Sequence, residues 1–420
     1  MPKINSQLGA EKPNFICING NSVQSSGASS LLKFLAKYFP PLLAVLAAFS
    51  ISPILQPQFI FPFQGNYVFV ICIGLIMLIN AKRFHVSNKQ IVFICSLFIA
   101  SSVLSLYWQD VKLVTVPIYF VLGALGVLAM TKLNKVHFVI FMTNILLMLL
   151  FGAFVGFFYA MNGGGAIAAF SNPDGRINQL FLTTLSNTVI GNFIRPSAIF
   201  DEPGAFSFFI CFIAATRHVL ELPKQKTWIL MIGGLITFSI AHVVYLIAHF
   251  LSEKIFSRGA LLATLLIVLF ATLIVFANPK VMEVVNSQIY ERSAATGGAV
   301  DTRMTLLMNA FNNLDARALL FGVNSAYVTT PDTFSGQHVA MGENPLAPIV
   351  LTGMLGSMPY YLMVIWLLAY GIKKKKNLVF VGLGLLLLQR PYVMNFGYAL
   401  LIYFAYNLSL HDEFSRKNLE

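Results

Sequence analysis

The chain has 420 residues, 57% of them hydrophobic and only 10% charged, with a formal net charge of +12 and a mean hydropathy of +0.75. Soluble domains carry about 25% charged residues, so a water-soluble globule of this composition is excluded; it would have to expose large apolar patches. A nucleic-acid partner is excluded as well, because most basic residues sit in short gaps between apolar runs, a pattern that reports orientation in a bilayer rather than a binding face.

In chain order, residues 1–30 are polar, rich in Ser, Asn and Gly, and lack an early hydrophobic core, so they read as a flexible tail and not as a cleaved signal. Apolar runs then predict membrane spans near 40–60, 66–80, 90–107, 113–130, 138–160, 203–216, 259–277 and 346–370. Lys82, Arg83 and Lys89 follow the second run, Lys132 and Lys135 the fourth, Arg217, Lys224 and Lys226 the sixth, and Lys373 to Lys376 the last. Placing these links on the cytoplasmic face puts the amino terminus inside and two long polar segments, 161–202 and 278–345, on the far side.

Parity then constrains the stretches at 228–252 and 377–409. The first reads as a broken hairpin turning near Thr237 to His242, with Lys254 and Arg258 back inside; the second reads as two short crossings meeting at Arg390-Pro391. Short crossings are tolerated when other helices bury them. The predicted fold is all-α: a polytopic helical membrane protein of about twelve transmembrane helices at roughly 20 residues each. It comprises the 1–30 tail, a single transmembrane domain over 31–410 and a cytoplasmic tail at 411–420. On this topology eight of the 28 basic residues lie on the far side, and six of the eight are arginine: Arg176, Arg195, Arg292, Arg303, Arg317 and Arg390. Positive-inside sorting does not explain that bias, whereas a guanidinium fork matches phosphate or carboxylate, so an external anionic ligand is expected.

Four local constellations carry chemistry. Arg195-Pro-Ser-Ala-Ile-Phe-Asp-Glu202-Pro203-Gly204 closes the first long loop and enters an apolar helix, with Pro203 at a first helical position and acidic residues at the positive helix end. Its structural alternative is a capped entrance with an Arg195–Glu202 pair. In the second loop, Met304, Leu307, Met308, Phe311 and Leu314 share a helical face, which predicts an amphipathic surface helix over 303–314 capped by Asp301 and Thr302. Arg303 heads that helix and reads either as a site residue or as a solvated charge. The third constellation is Glu343-Asn344-Pro345 with His338 before it, which also reads as a helix cap. The fourth is Gln389-Arg390-Pro391-Tyr392, whose arginine lies between short crossings; such a residue is a functional suspect unless it snorkels to the interface. His242 and His249 read as hydrogen-bonded core histidines. The sequence carries no phosphate-cradling loop, zinc motif or nucleophile elbow.

The entrance at 195–204, the Asp-x-Arg at 301–303, the Phe-Gly at 321–322 and the Gln-Arg-Pro-Tyr at 389–392 resemble Wzy-type polysaccharide polymerases, the O-antigen and exopolysaccharide polymerases of bacteria. The layout of many spans and two long loops is similar too. The resemblance implies a metal-independent, cofactor-free glycosyltransferase of the bacterial inner membrane, with both termini cytoplasmic. It implies an enzyme that joins undecaprenyl-pyrophosphate-linked repeat units at the periplasmic face, among membrane lipids and with a chain-length regulator as a further partner. In that frame Arg195 and Arg303 grip the pyrophosphate with Arg390 in support. Glu202 orients Arg195 or takes the acceptor proton, and Glu343 and His338 are the other candidates for the base. The related O-antigen ligases carry a His-Asn pair where this chain has Glu343-Asn344, which favours polymerase over ligase. A ligase transferring glycan to lipid A-core, and a lipid-linked oligosaccharide flippase or secondary transporter, remain the alternatives.

Overall fold

A computed structural model describes residues 26–54, 65–81, 88–108, 112–171, 177–253, 308, 312, 314–322, 345–374, 378–391 and 396–410. The described chain is predominantly helical: α1 (Ser26–Phe49), α2 (Gly65–Ile79), α3 (Asn88–Trp108), α4 (Lys112–Ala129), α5 (Lys132–Met161), α6 (Pro203–Val219), α7 (Lys224–Gly233), α8 (Ile240–Ser252), α9 (Ala316–Phe321), α10 (Ala347–Lys373), α11 (Val379–Gln389) and α12 (Phe396–Leu410). Of these, α5 and α10 are long and apolar enough to cross a bilayer; several others are shorter apolar helices. The expected run at 259–277 lies outside the described residues.

Two helices form the centre. In α6 every residue from Ala205 to Arg217 is buried, and in α12 so are Gly397 to Ala405. A helix that is apolar on nearly every face is either enclosed by protein or set in lipid, and these two are enclosed. The enclosure is aromatic: Phe209 packs on Phe49, Phe200 and Tyr398, while Phe212 and Phe138 both meet Phe404. Against this, the flanking helices turn large apolar side chains outward, among them Leu78, Leu106, Met148, Phe151 and Ile372, all at least 65% exposed. Apolar rims of that extent are suited to lipid or to another protein surface, not to water.

Small residues let the helices approach. At Gly123 on α4, a methyl group would sit 3.0 Å from the Leu400 amide nitrogen and 3.1 Å from its Cα on α12, the close-backbone packing that glycine permits. The helix ends obey local rules. Thr131 caps α5 by accepting from the Asn134 amide at 3.2 Å, and Asp315 caps α9 by accepting from Ala318 at 2.6 Å.

Two boundaries differ from the sequence reading. The first helix begins at Ser26, inside the segment expected to be a tail, and ends at Phe49 rather than near 60. Ser52 precedes Pro53, a position from which the helical conformation is disfavoured, and its hydroxyl donates instead to the Ile199 carbonyl at 2.5 Å. The all-α expectation is corrected between 168 and 194. There the chain forms β1 (Ala168–Ser171), β2 (Ile177–Phe181) and β3 (Thr184–Ser186) in one antiparallel sheet, and β4 (Val189–Ile190) and β5 (Phe193–Ile194) in a second. Strands of two to five residues are too short to show a period-two pattern. The turn Gly191-Asn192 between Ile190 and Phe193 was the legible signal, since two-residue loops of this kind close hairpins.

Replacing Gly123 by Leu is expected to lower the thermal unfolding temperature of the purified protein, at a cost of about 1–3 kcal/mol for overpacking a tight interface. An unchanged transition in a thermofluor scan would mean that α4 and α12 do not approach this closely.

Candidate active site

The segment leading into α6 is strapped to the strands. The Arg195 amide donates to the Thr188 carbonyl at 3.2 Å, the Ser197 amide to Leu185 at 2.8 Å, and the Leu185 amide to Ala198 at 2.7 Å. The Ala198 amide reaches Thr184 Oγ1 at 2.9 Å, holding Ala198 in the left-handed region at φ 52°, which alanine seldom adopts. The strands in turn sit on α5, where Thr183 Oγ1 donates to the Gly152 carbonyl at 2.6 Å. Phe200 then plugs into Phe49, Phe206 and Phe209. The two residues that follow, Asp201 and Glu202, are thereby fixed on both sides.

Glu202 is the N-cap residue of α6, extended at φ −149° and ψ 154°, with Pro203 opening the helix; its side chain makes no capping bond. The carboxylate forms an ion pair with Arg390 instead, its Oε1 accepting from Nη1 across 188 residues of sequence. Arg390 ends α11, donating its amide to Leu386 at 2.9 Å and extending at φ −139°, as the following Pro391 favours. A methyl group at Gly204 would drive into the Arg390 guanidinium. Each residue of the Glu-Pro-Gly triplet therefore has a part: the acid binds the guanidinium, the proline starts the helix and the glycine leaves the guanidinium room. The pair keeps partial access to its surroundings, at 25% and 13% side-chain exposure for Arg390 and Glu202.

Arg195 points to a different element. Its Nη2 donates to the carbonyls of Thr237 (3.3 Å) and Phe238 (3.1 Å). These carbonyls end a 3₁₀ turn, Gly234–Thr237, that breaks the hairpin between α7 and α8, with Phe238 left-handed at φ 49°. The cation thus caps the carbonyl-rich end of a helical segment, where positive charge is favoured. The Phe238 ring closes the contact on Phe193 (5.0 Å) and Phe157 (6.1 Å). The break falls where the sequence placed a turn, at Thr237 to His242. The Gly233-Gly234 pair just before it is the breaker signal. His242 is a satisfied core residue: Nδ1 lies 3.1 Å from Ser207 Oγ, and Nε2 lies 2.8 Å from the Met231 carbonyl, which accepts from it.

Of the six residues picked out from sequence, Glu202 and Arg390 meet, and Arg195 precedes Glu202 on the same strapped segment. Arg303, His338 and Glu343 lie outside the described residues, as does most of the 303–314 amphipathic helix. The Phe321-Gly322 pair turns back onto the protein. Phe321 stacks on Tyr107 at 4.5 Å, and Gly322 (φ 75°) abuts Gly353 (φ 63°), where α10 kinks. Arg317 Nε donates to the Tyr107 hydroxyl at 2.7 Å. The residues that sequence reasoning missed are the Thr237 and Phe238 carbonyls, which carry no side-chain signature, and Gly204 as the seat of a distant arginine. Chemically, the Arg390 guanidinium beside the N-terminus of a buried helix is an arrangement suited to an anion.

A double-mutant cycle tests the pair. Glu202→Gln and Arg390→Gln are each expected to cost about 1–3 kcal/mol, below the range for fully buried pairs because both side chains keep some exposure. The double variant should cost less than their sum, read as thermal or chemical stability. Strict additivity would mean that the two groups do not interact.

Compared with known proteins, the chain matches no family model, no curated protein and no solved structure.

Proposed function

We propose that the protein is a polysaccharide polymerase of the Wzy type, a glycosyltransferase joining polyprenyl-pyrophosphate-linked repeat units at the periplasmic face of the bacterial inner membrane. The observation that carries the reading is the Glu202–Arg390 pair at the N-terminus of α6. It unites two of the four motifs that carry the family resemblance, the Glu-Pro-Gly entrance and the Gln-Arg-Pro-Tyr run.

The proposed topology draws support from how contacts sort the helix ends. Ser52 meets Ile199, Arg195 meets Phe238, Glu202 meets Arg390 and Arg317 meets Tyr107. Lys135 Nζ meets Asn407 Oδ1 at 2.7 Å, Arg217 meets Thr143 and Thr227, and Lys224 meets Glu253. Members of the first set belong to the ends assigned outside, and members of the second to those assigned inside. None of these pairs, all among the described residues, mixes the sets, which supports a chain that crosses a bilayer repeatedly with both ends inside. The outward apolar rims supply the lipid-facing surface.

The reaction forms a glycosidic bond between an acceptor sugar hydroxyl and the anomeric carbon of the donor, breaks the bond from that carbon to the pyrophosphate oxygen, and moves the hydroxyl proton to a base. Negative charge grows on the leaving pyrophosphate, and preorganised guanidinium groups stabilise it there without a metal. Arg390, Arg195 and Arg303 take that role. Because the Glu202 carboxylate is engaged by Arg390, its part is to hold that guanidinium in place, which leaves Glu343 and His338 as the groups to accept the proton. A transporter would place its coupling groups in the broken helices. Of the two histidines in the α7–α8 hairpin, His242 is tied up by Ser207 and Met231, while His249 lies at the far end of α8 beside His218 and Tyr245.

In vitro extension of a lipid-linked repeat unit by the purified protein is the direct test. Arg195→Ala and Arg303→Ala are each expected to reduce extension by about a hundredfold or more, the scale of removing a transition-state donor, with unchanged protein levels in the membrane. Normal polymer lengths from both variants would refute the pyrophosphate grip. In cells lacking the protein, single repeat units on the lipid core are expected on a glycan gel; complete loss of attached glycan would point to a ligase or flippase. Labelling of single cysteines should find 161–202 and 278–345 accessible from outside the cell, and the opposite result would overturn the topology.

A further inference from the structure

At the other end of α6 a second cluster stands outside the site just described. His218 lies in the last turn of α6, and His249 and Glu253 lie at the end of α8. His249 and Glu253 are four residues apart, which puts them on one helical face. One donor atom from each of the three side chains lies within 4.8 Å of the other two. His218 Nδ1 and Glu253 Oε1 are 3.6 Å apart, close to the edge of about 3.3 Å expected between ligands of a tetrahedral zinc ion with bonds near 2.0 Å. The two imidazole rings face each other at 5.4 Å between centroids and 73° between planes.

His249 supplies a second, independent sign. Its side chain is fully buried, Nδ1 meets the Tyr245 hydroxyl at 3.4 Å, and Nε2 has no hydrogen-bond partner among the described residues. A buried ring nitrogen without a partner is costly, and metal ligation would satisfy it. Tyr245 then plays the part that outer partners play for metal-bound histidines, fixing ring orientation through the other nitrogen. Beside the cluster a cavity of about 470 Å³ is lined by His218, Glu221, Pro223, Lys224 and Glu253, with room for water to complete the coordination. Lys224 is the opposing influence: its ammonium pairs with Glu253 Oε2 at 2.5 Å, but its side chain is 67% exposed and can swing away.

We propose that His218, His249 and Glu253 bind a zinc ion that fastens the end of α6 to the base of the α7–α8 hairpin. Two imidazoles and one carboxylate are a donor set suited to Zn²⁺, leaving a fourth position for water. Seventeen residues of α6 separate the two ends by about 25 Å, so the ion takes no part in chemistry at Glu202. The site stands or falls apart from the glycosyl-transfer reading.

The test uses the full-length protein purified in lipid nanodiscs without a polyhistidine tag, equilibrated with Zn²⁺, washed, and measured for bound zinc by mass spectrometry. Co²⁺ is substituted to read geometry from its visible absorption. The wild type is expected to retain about one zinc per chain and to give a tetrahedral cobalt spectrum, and chelation should lower its unfolding temperature. His249→Ala should lose both the metal and the chelator-induced shift. Should that variant fail to fold, His218→Asn carries the same measurement at the helix end. Lys224→Ala should keep the metal and hold it more tightly, because it removes the competing ammonium. No stoichiometric zinc in the wild type, or undiminished zinc in the folded His249 or His218 variant, would overturn the proposal.

Discussion

A helix enclosed on every side can bury apolar groups along its length but must settle its polar ends within the protein. In α6 that constraint organises both ends. At its N-terminus the carboxylate of Glu202 is met by Arg390 from the end of α11, and Gly204 leaves space for the guanidinium. At its C-terminus Arg217, buried with the rest, spends Nε on Thr227, Nη1 on Thr143 and Nη2 on the Pro223 carbonyl, at 2.9, 3.1 and 2.6 Å. A charge withdrawn from water must be hydrogen-bonded, so Arg390 reaches Glu202 across 188 residues and Arg217 reaches Thr143 across 74, besides two partners close by. The enclosure of α6 and the position of its charged groups are thus one arrangement seen from two sides.

The strands between α5 and α6 are what make the N-terminal arrangement specific. Without a strap, the segment before Pro203 would be a surface loop free to sample many conformations, and Arg195 and Glu202 would have no fixed relation. The bonds from Leu185 to Ser197 and Ala198, and the seating of Phe200 among Phe49, Phe206 and Phe209, remove that freedom before any ligand arrives. Preorganisation of this kind is what allows a charged group to act on a developing charge without first reorganising. The same strap sets Arg195 against the hairpin tip, so that the broken turn between α7 and α8 is capped by a residue from the candidate site. The site and the hairpin are mechanically joined at one end of α6. At the other end, His218, His249 and Glu253 join the same two elements.

Much of this was written locally. Apolar run length marked α2, α3, α4 and α10 to within three residues at each end, because a helix that buries or exposes only apolar surface needs no long-range information to declare itself. The break near Thr237 was legible from parity and from the Gly233-Gly234 pair, and the end of α11 from Arg390-Pro391, since proline acts on its immediate neighbour. Glu202, Arg195 and Arg390 stood out as charges beside apolar runs, where charge needs a reason.

Partnership was a different matter. Nothing along the chain says that Glu202 meets an arginine 188 positions later, that Arg195 caps the carbonyls of Thr237 and Phe238, or that His218 faces a His-x-x-x-Glu pair on another helix. The strands at 168–194 escaped for a related reason: segments of two to five residues are held by cross-strand bonds and by α5 beneath them, not by any periodicity of their own. Composition and run length alone determined that the chain is a helical assembly with charges gathered at particular helix ends. Only the tertiary structure decided which of those charges meet, because ion pairs and ligand clusters depend on distance in space, and the chain fixes such distances only once its helices have packed.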